Sequence, residues 1–544
     1  GNGIEIGADI TYNGAGAAGD LTLTANGGGS TTGAITDADP GSLFEIRAKN
    51  LTLNAATGIG TSGSPIDIVA TTVTADNTQS GGIFLRAPSG DLTVGAGGLT
   101  NAGTGALSLI TTNGSIIVDG KIDGEGAVEL TANATGATPS QIDVNGEIDA
   151  GGRVIVRAAD DITIDARVRS GVGNGGDDIF IIAGEASGMN AGVAPAGESQ
   201  ADTDGSVTIG AQVRAGAGDI VINATGSVRQ VPLPPPNSGG GAAGLQNDGD
   251  LIVRTYNNAA GAGVIDLRHD DDVTGNSNGP ITLETLRENG NDYAASNINY
   301  RSFEGVVISG IGTSADFVAI AKTQNIDLDA LNIQAKNLTL IANDGDVNVN
   351  KQITSAQING GNDGGSLNLL AGSKDDPNGG NVNINAVGGK GITIGRFKST
   401  GNPADDFDPD TGLPTPHAIE RFNHDLKLVA EKDIKIEGSI YLKGDLNLRG
   451  DASKGEATRV GAAPKYGDGE GSVRIGAPGG TNTPVVVSAE NMVVGSLDSQ
   501  GRPLPVQHLI LTGGNIAPNP GQRRSASAVL EAVNEQLTFD RTSV

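Results

Sequence analysis

The residues of this chain best suited to chemistry are acids in short runs. Asp406, Asp408 and Asp410 alternate through DFDPDTG, a spacing at which side-chain oxygens can converge on a hard cation, as in the first half of an EF-hand loop. The glycine stands one place late and the closing Glu is missing, so an Asx-rich turn competes with a calcium site here. No cofactor is required by the sequence, and calcium is the one it suggests. Further acids adjoin one another at Asp177 and Asp178, at Asp270, Asp271 and Asp272, and at Asp405 and Asp406. Glycosidic hydrolysis needs two carboxyl groups placed across the scissile bond, and lyase chemistry needs a basic residue beside bound calcium. The four histidines, His269, His417, His424 and His508, are scattered, and none joins an acid pair in a recognisable signature. Serine elbows, zinc motifs and phosphate loops are absent as patterns. The acids read as turn residues, and the chain reads as a non-enzyme.

The elements that must position these residues come from a repeat. The phrase Gly-x-φ-x-φ-x-Ala, with φ a branched aliphatic, stands at 19–25, 90–96, 126–132, 152–158, 205–211, 218–224, 365–371, 380–386 and 471–477. Copies at 50–55, 337–342 and 425–430 lack only the glycine. Aliphatics two apart with polar residues between them are the period of a strand with one face in and one out. A unit this small buries its apolar face only by stacking on its neighbours. A longer unit contains the phrase: residues 118–132, 144–158 and 436–450 share aliphatics at their first, fifth, eleventh and thirteenth places, and 209–224 follows the plan with one insertion. This unit reads as two strands joined by a glycine-containing corner. A hairpin-built sandwich would not need Ala at the same inward place in copy after copy, whereas a stacked coil does. The expected fold is all-β, a right-handed parallel β-helix solenoid with loop excursions and a short C-terminal helix.

Composition supports this reading. Glycine is 86 of 544 residues, Trp and Cys are absent and aromatics are 3%, so the core must be Val, Ile, Leu and Ala in thin layers. A disulfide framework is ruled out. With 63 acidic against 35 basic residues and a net charge of −28, the chain repels phosphate backbones and anionic lipid, so neither nucleic-acid binding nor membrane insertion is expected. No apolar run approaches the ~20 residues of a membrane span.

The repeat divides the chain into a β-helical segment at 1–230, a Pro/Gly-rich loop or joint at 231–244, a second β-helical segment at 245–515 and a tail at 516–544. Excursions are expected near 269–303, which carries Tyr293, Tyr300 and Phe303, and at 401–422. Excursions leave one face of a solenoid and often carry binding. In the tail, Val529, Val533 and Leu537 recur every fourth residue within 525–539, the pattern of an amphipathic helix that caps the last coil or docks a partner. The opening, GNGIEIGADI, enters a repeat-like segment without Met, as a mature or excised piece of a longer chain would.

The alternating phrases VDGKIDGEGAVELTA (118–132) and IGAQVRAGAGDIVINA (209–224) resemble the repeats of filamentous haemagglutinin-like exoproteins, the secreted adhesins of two-partner secretion in Gram-negative bacteria. The resemblance covers most of the chain. It implies a β-helical fibre at the cell surface, export through an outer-membrane pore partner, and a role in adhesion, aggregation or contact-dependent competition. The Asn-Pro-containing secretion module of that family is not recognisable here, which implies either a piece of a shaft or another export route. Two functional classes follow. One is an adhesin whose partners are glycans or proteins of a host or neighbouring cell. The other is a structural subunit that assembles with copies of itself into a filament, sheath or surface layer. Thr22, Thr24, Asn383, Asn385 and Thr339 are expected as exposed polar strand positions that suit either.

Overall fold

The structure is a computed structural model. It describes residues 3–12, 19–25, 31–39, 44–134, 140–172, 176–184, 205–231, 245–247, 249–256, 264–269, 281–286, 298–302, 306–313, 316–321, 324–353, 365–372, 380–387, 390–391, 396–397, 419–420, 422, 424–442, 444–450, 452, 457–458, 472–476, 485–489, 492–494, 496–497, 503–504, 509–511, 529–532 and 537–539. The elements delimited among them are all strands, and the long ladders are parallel. The chain divides into two compact units, unit 1 with Gly1–Gly279 and Thr285–Ala294, and unit 2 with Pro280–Glu284 and Ala295–Val544. Each is a parallel β-solenoid.

Unit 1 begins with one long strand per turn on its first face: Asp20–Thr24, Asn50–Ala55, Thr72–Asn77 and Leu92–Asn101 stack in order. The face then splits. Within Leu92–Asn101 the register shifts between Val94 and Leu99, across the glycines of VGAGGL. Gly98 holds φ +75, a conformation that costs glycine little and other residues much. The next turn answers with two strands: Ile116–Val118 pairs with the first half and Ile122–Gly124 with the second. From here each turn has three strands, as in Ile116–Val118, Ile122–Gly124 and Val128–Ala132, then Ile142–Val144, Ile148–Ala150 and Val154–Ala158. The fifteen-residue unit therefore spans the end of one strand and two further strands, with two corners rather than one. Stacked glycines make those corners close, since a Cβ on Gly120 would run into the carbonyl of Gly95 and one on Gly146 into that of Gly120.

The second face of unit 1 carries the core most plainly. Leu107, Val128, Val154, Ile179, Ile220 and Leu251 form one inward column and Leu109, Leu130, Val156, Ile181, Ile222 and Val253 the next, all fully buried and in register from turn to turn. Each such side chain contributes about 1.5–3 kcal/mol of burial. The Ala that ends the phrase falls inward at the corner: Ala132, Ala158, Ala183 and Ala224 stack at 0% exposure, where a larger side chain would overfill the turn.

On the first face a pair of inward asparagines, Asn77 and Asn101, stands in register between Ala55 and Gly124. Asn77 Nδ2 donates to Asn101 Oδ1 at 2.7 Å and to the Ser80 carbonyl at 2.8 Å, while its Oδ1 accepts the Gly58 N–H at 2.9 Å. Asn101 in turn donates to the carbonyls of Gly103 and Gly105. Buried amides are tolerated because both ends are paired.

Residues Val228–Gln230 and Leu245–Asn247 pair with two strands of the same preceding turn, Val207–Ile209 and Val213–Gly216. The strands on either side of the Pro/Gly-rich stretch thus belong to one turn of unit 1, and 232–244 lie outside the described residues.

Unit 2 repeats the plan with Asp316–Ala321, Asn337–Ala342, Ser366–Ala371, Asp425–Ala430 and Leu446–Arg449 on one face. Ile326–Gln334, Val347–Val349, Val382–Ile384, Ile434–Ile436 and Val473–Ile475 form another. Outward residues Ile341, Leu370 and Val429 stack as an apolar stripe, and Ala452 and Ala457 from the following excursion cover it.

The expected C-terminal helix is corrected here. Val529–Ala532 adds in parallel to Val486–Ala489, and Leu537–Phe539 to Met492–Val494. Backbone pairing on a preformed strand outweighs a helical spacing carried by only three apolar residues, two of them β-branched valines that suit strands.

Asn77→Ala strands the Gly58 N–H, the Ser80 carbonyl and one Asn101 group. It is expected to destabilise unit 1 by about 2–4 kcal/mol in urea unfolding, whereas Asn54→Ala, outward on the neighbouring turn, changes it by less than about 0.5 kcal/mol.

Candidate functional site

The residue just before many strands is Asp, Asn or Ser, and its side-chain oxygen accepts the backbone N–H of the equivalent residue one turn on. In unit 2 this makes a continuous corner spine. Asn325 Oδ1 takes Asp346 N–H at 2.8 Å, Asp346 Oδ1 takes Asn381 N–H at 2.8 Å, Asn381 Oδ1 takes Asp433 N–H at 3.2 Å and Asp433 Oδ1 takes Ser472 N–H at 2.9 Å. In unit 1 the same role runs through Asp178, Asp219 and Asp250 at 2.9 and 2.7 Å, and through Asp161, Ser206 and Ser227 at 2.7 and 3.1 Å. Backbone groups that a corner would leave unpaired are thereby satisfied. Stacked acids carry a penalty, and burial followed by the Asp219 charge pushes the Asp250 carboxyl above its ordinary value.

Outward residues stack on their own kind. On the first face of unit 1, Thr22, Thr52 and Thr74 form one row, with Thr52 and Thr74 hydroxyls 3.1 Å apart, beside a row of Thr24, Asn54 and Asp76. Asn54 donates to Thr24 Oγ1 at 3.3 Å and Asn50 to Asp20 at 2.7 Å. Rungs lie ~4.8 Å apart and alternate residues along a strand ~6.7 Å apart, so the rows form a flat grid of hydroxyl and amide groups. Farther along unit 1, the row changes to charge: Asp149 receives Arg169 Nε at 2.7 Å and Lys121 Nζ at 3.0 Å. Burial opposes ionisation of Asp149, but those two cations outweigh it and hold its carboxyl below the usual range.

Unit 2 carries an amide ladder. Asn348 donates to Asp327 at 2.6 Å, Asn383 to Asn348 at 2.7 Å and Asn385 to Asn350 at 2.6 Å. Burial raises the Asp327 carboxyl, with the Asn348 bond pulling the other way.

The residues singled out from sequence fall differently. Asp406, Asp408 and Asp410 lie outside the described residues, as do Asp405, Asp270, Asp271, Asp272, Tyr293, Phe303, His417 and His508. Arg396–Phe397 and Ile419–Glu420, which flank the first group in sequence, pair antiparallel. Asp178 serves the corner spine, and Asp177 Oδ1 accepts the Asp178 N–H at 2.9 Å. His424 is buried at 1% exposure, with Nδ1 accepting the Gly365 N–H at 2.8 Å and its ring edge-on to Phe422 at 4.9 Å. Tyr300 is fully buried. Thr22 and Thr24 are exposed and Asn383 and Asn385 half-buried. Thr339 corrects an expectation: it faces outward, yet only 8% of it is exposed, with Asn368 Nδ2 at 3.3 Å from its hydroxyl. Among the described residues, no group of three or more His, Cys, Asp or Glu converges as a metal site.

No protein-family model, curated protein or solved structure matches the chain.

The sequence reading does not single out Glu45, Asp67 and Arg86, which the fold brings into one outward row on successive turns. Aligning their strands by the inward isoleucines would have placed them together, but those short copies lack the full phrase.

Asp346→Ala removes the acceptor of the Asn381 N–H and of two amide side chains. A loss of about 1.5–3 kcal/mol in unit 2 is expected, with Asp346→Asn recovering part of it, as read by chemical denaturation.

Proposed function

We propose that the chain is a secreted, non-enzymatic adhesin, or the shaft of one, of the filamentous haemagglutinin-like kind, at the surface of a Gram-negative bacterium. The observation that carries this reading is the grid of Thr22, Thr24, Thr52, Asn54, Thr74 and Asp76, uncharged apart from Asp76 and repeated in register from turn to turn. Such a face offers many weak donors and acceptors at fixed spacing, and its residues satisfy one another only in part. Hydroxyl-rich glycans, or a protein surface with similar groups, are the partners it suits. The parallel solenoid and the repeat phrase support the family reading, and an outer-membrane secretion pore is the export partner that reading carries. The carboxylates described above are engaged in corner bonds and ion pairs, which favours binding over chemistry.

The test is glycan-array and whole-cell binding by the purified chain, beside Thr52→Val with Thr74→Val. The double variant keeps shape and strand propensity while removing two hydroxyls. Binding that falls about tenfold, with the melting curve unchanged, supports the reading; a tenfold loss corresponds to about 1.4 kcal/mol. Binding unaffected by the double variant refutes the role of this face. Concentration-dependent fibres or sheets in electron microscopy, without glycan or cell binding, would replace the adhesin with a self-assembling structural subunit.

A further inference from the structure

One titratable group of unit 1 is buried without a cation of its own. Strands Ile46–Arg47, Ile66–Val69 and Ile83–Ala87 stack in register, which sets Glu45 against Asp67 and Asp67 against Arg86 on successive turns. Glu45 and Asp67 are each 2% exposed. Arg86 grips both oxygens of Asp67 through Nε and Nη2, so that pair is balanced. Among the described residues, Glu45 Oε2 accepts only the Asp67 backbone N–H.

The other charged groups around Glu45 do not balance it. Asp37, held by Ser64 Oγ at 2.8 Å and by the Asp39 N–H at 2.7 Å, adds negative potential. Asp9 precedes the strand Ile10–Thr11 that pairs with Ile46–Arg47, and Asp39 follows Asp37 at the surface. Arg47 is turned onto the Phe44 ring, 4.4 Å from its centroid. Among the described residues, Arg86 is the cation that opposes the acids near Glu45, and it is committed to Asp67. Burial foremost, with the Asp67 and Asp37 charges adding, pushes the Glu45 carboxyl up to about 7 against the Asp67 N–H bond and Arg86.

We propose that Glu45 is a proton-operated latch on the early turns of unit 1: protonated, it lets residues 44–47 and 66–69 stay docked, and ionised, it sets an unpaired charge beside Asp67 and loosens them. The sign follows from linkage. The folded state holds this proton more tightly than the unfolded chain does, so the stabilisation is present on the acid side and is lost as pH rises through about 7. A single proton can raise local opening by at most about tenfold per pH unit, between the free carboxyl value of 4.5 and about 7, and opening is level above that.

The test is hydrogen exchange by mass spectrometry on the full chain from about pH 5.5 to 8.5, corrected for intrinsic rates, with peptides covering 44–69 followed against 128–158. In the wild type, opening of 44–69 is expected to climb as pH rises to about 7 and to level off above it, while 128–158 stays level throughout. Glu45→Gln, of the same shape and unable to ionise, is expected to keep acid-like protection throughout. Asp37→Asn, which removes one facing charge, is expected to bring the levelling-off to lower pH, and it serves as the test should Glu45→Gln not fold. A flat wild-type profile below pH 7, a Glu45→Gln profile that still follows pH, or a levelling-off that Asp37→Asn leaves in place would each overturn the latch.

Discussion

Parallel, in-register hydrogen bonding between successive turns is the constraint on which the rest of each unit depends. Once Leu130 stands over Val156 and Ala132 over Ala158, every other side chain of the turn is also set over its equivalent, ~4.8 Å away. Inward columns then need matched size, which is why alanine recurs where the turn is narrow. Outward columns need matched chemistry: threonine on threonine, amide on amide, acid on arginine. Where a buried acid falls on an acid, as Asp250 does on Asp219 and Glu45 on Asp67, burial foremost and the neighbouring charge in addition push its carboxyl up.

The same constraint creates two problems that the structure solves locally. Corners interrupt the backbone ladder, and the Asp, Asn or Ser before many strands accepts the N–H that the corner would leave unpaired. Corners also bring backbones into contact, and glycines at 95, 120 and 146 leave room for that approach. The split of one long strand into two at VGAGGL shows the second device. Below it a turn has one strand on that face, and beyond it two.

The solenoid was legible in the sequence because its cause is local: two aliphatics two apart, a glycine before and an alanine after are enough to define an inward face. The number of strands per turn was less so, since Ile116–Val118 and Ile122–Gly124 are only three residues each and carry too little pattern to separate. The tail was misread because the fourfold spacing of Val529, Val533 and Leu537 is also met by short strands broken by a connection, and pairing with Val486–Ala489 is a long-range event. The Glu45 row was invisible for a related reason. Its members lie 22 and 19 residues apart, and unequal turn lengths hide their alignment until the strands are stacked.

Register is therefore the quantity to measure. The chain has no cysteine of its own, so paired cysteines report it without interference. Thr22 and Thr52 are opposed on adjacent turns and both face outward, while Leu53 faces into the core. Oxidation of Thr22→Cys with Thr52→Cys should give a rapid intramolecular disulfide, because opposed positions lie within the ~4.4–6.8 Å that the bond spans, and Thr22→Cys with Leu53→Cys should not. Equal cross-linking of the shifted pair, or none of the opposed pair, would contradict the stacking from which every row and site described here follows.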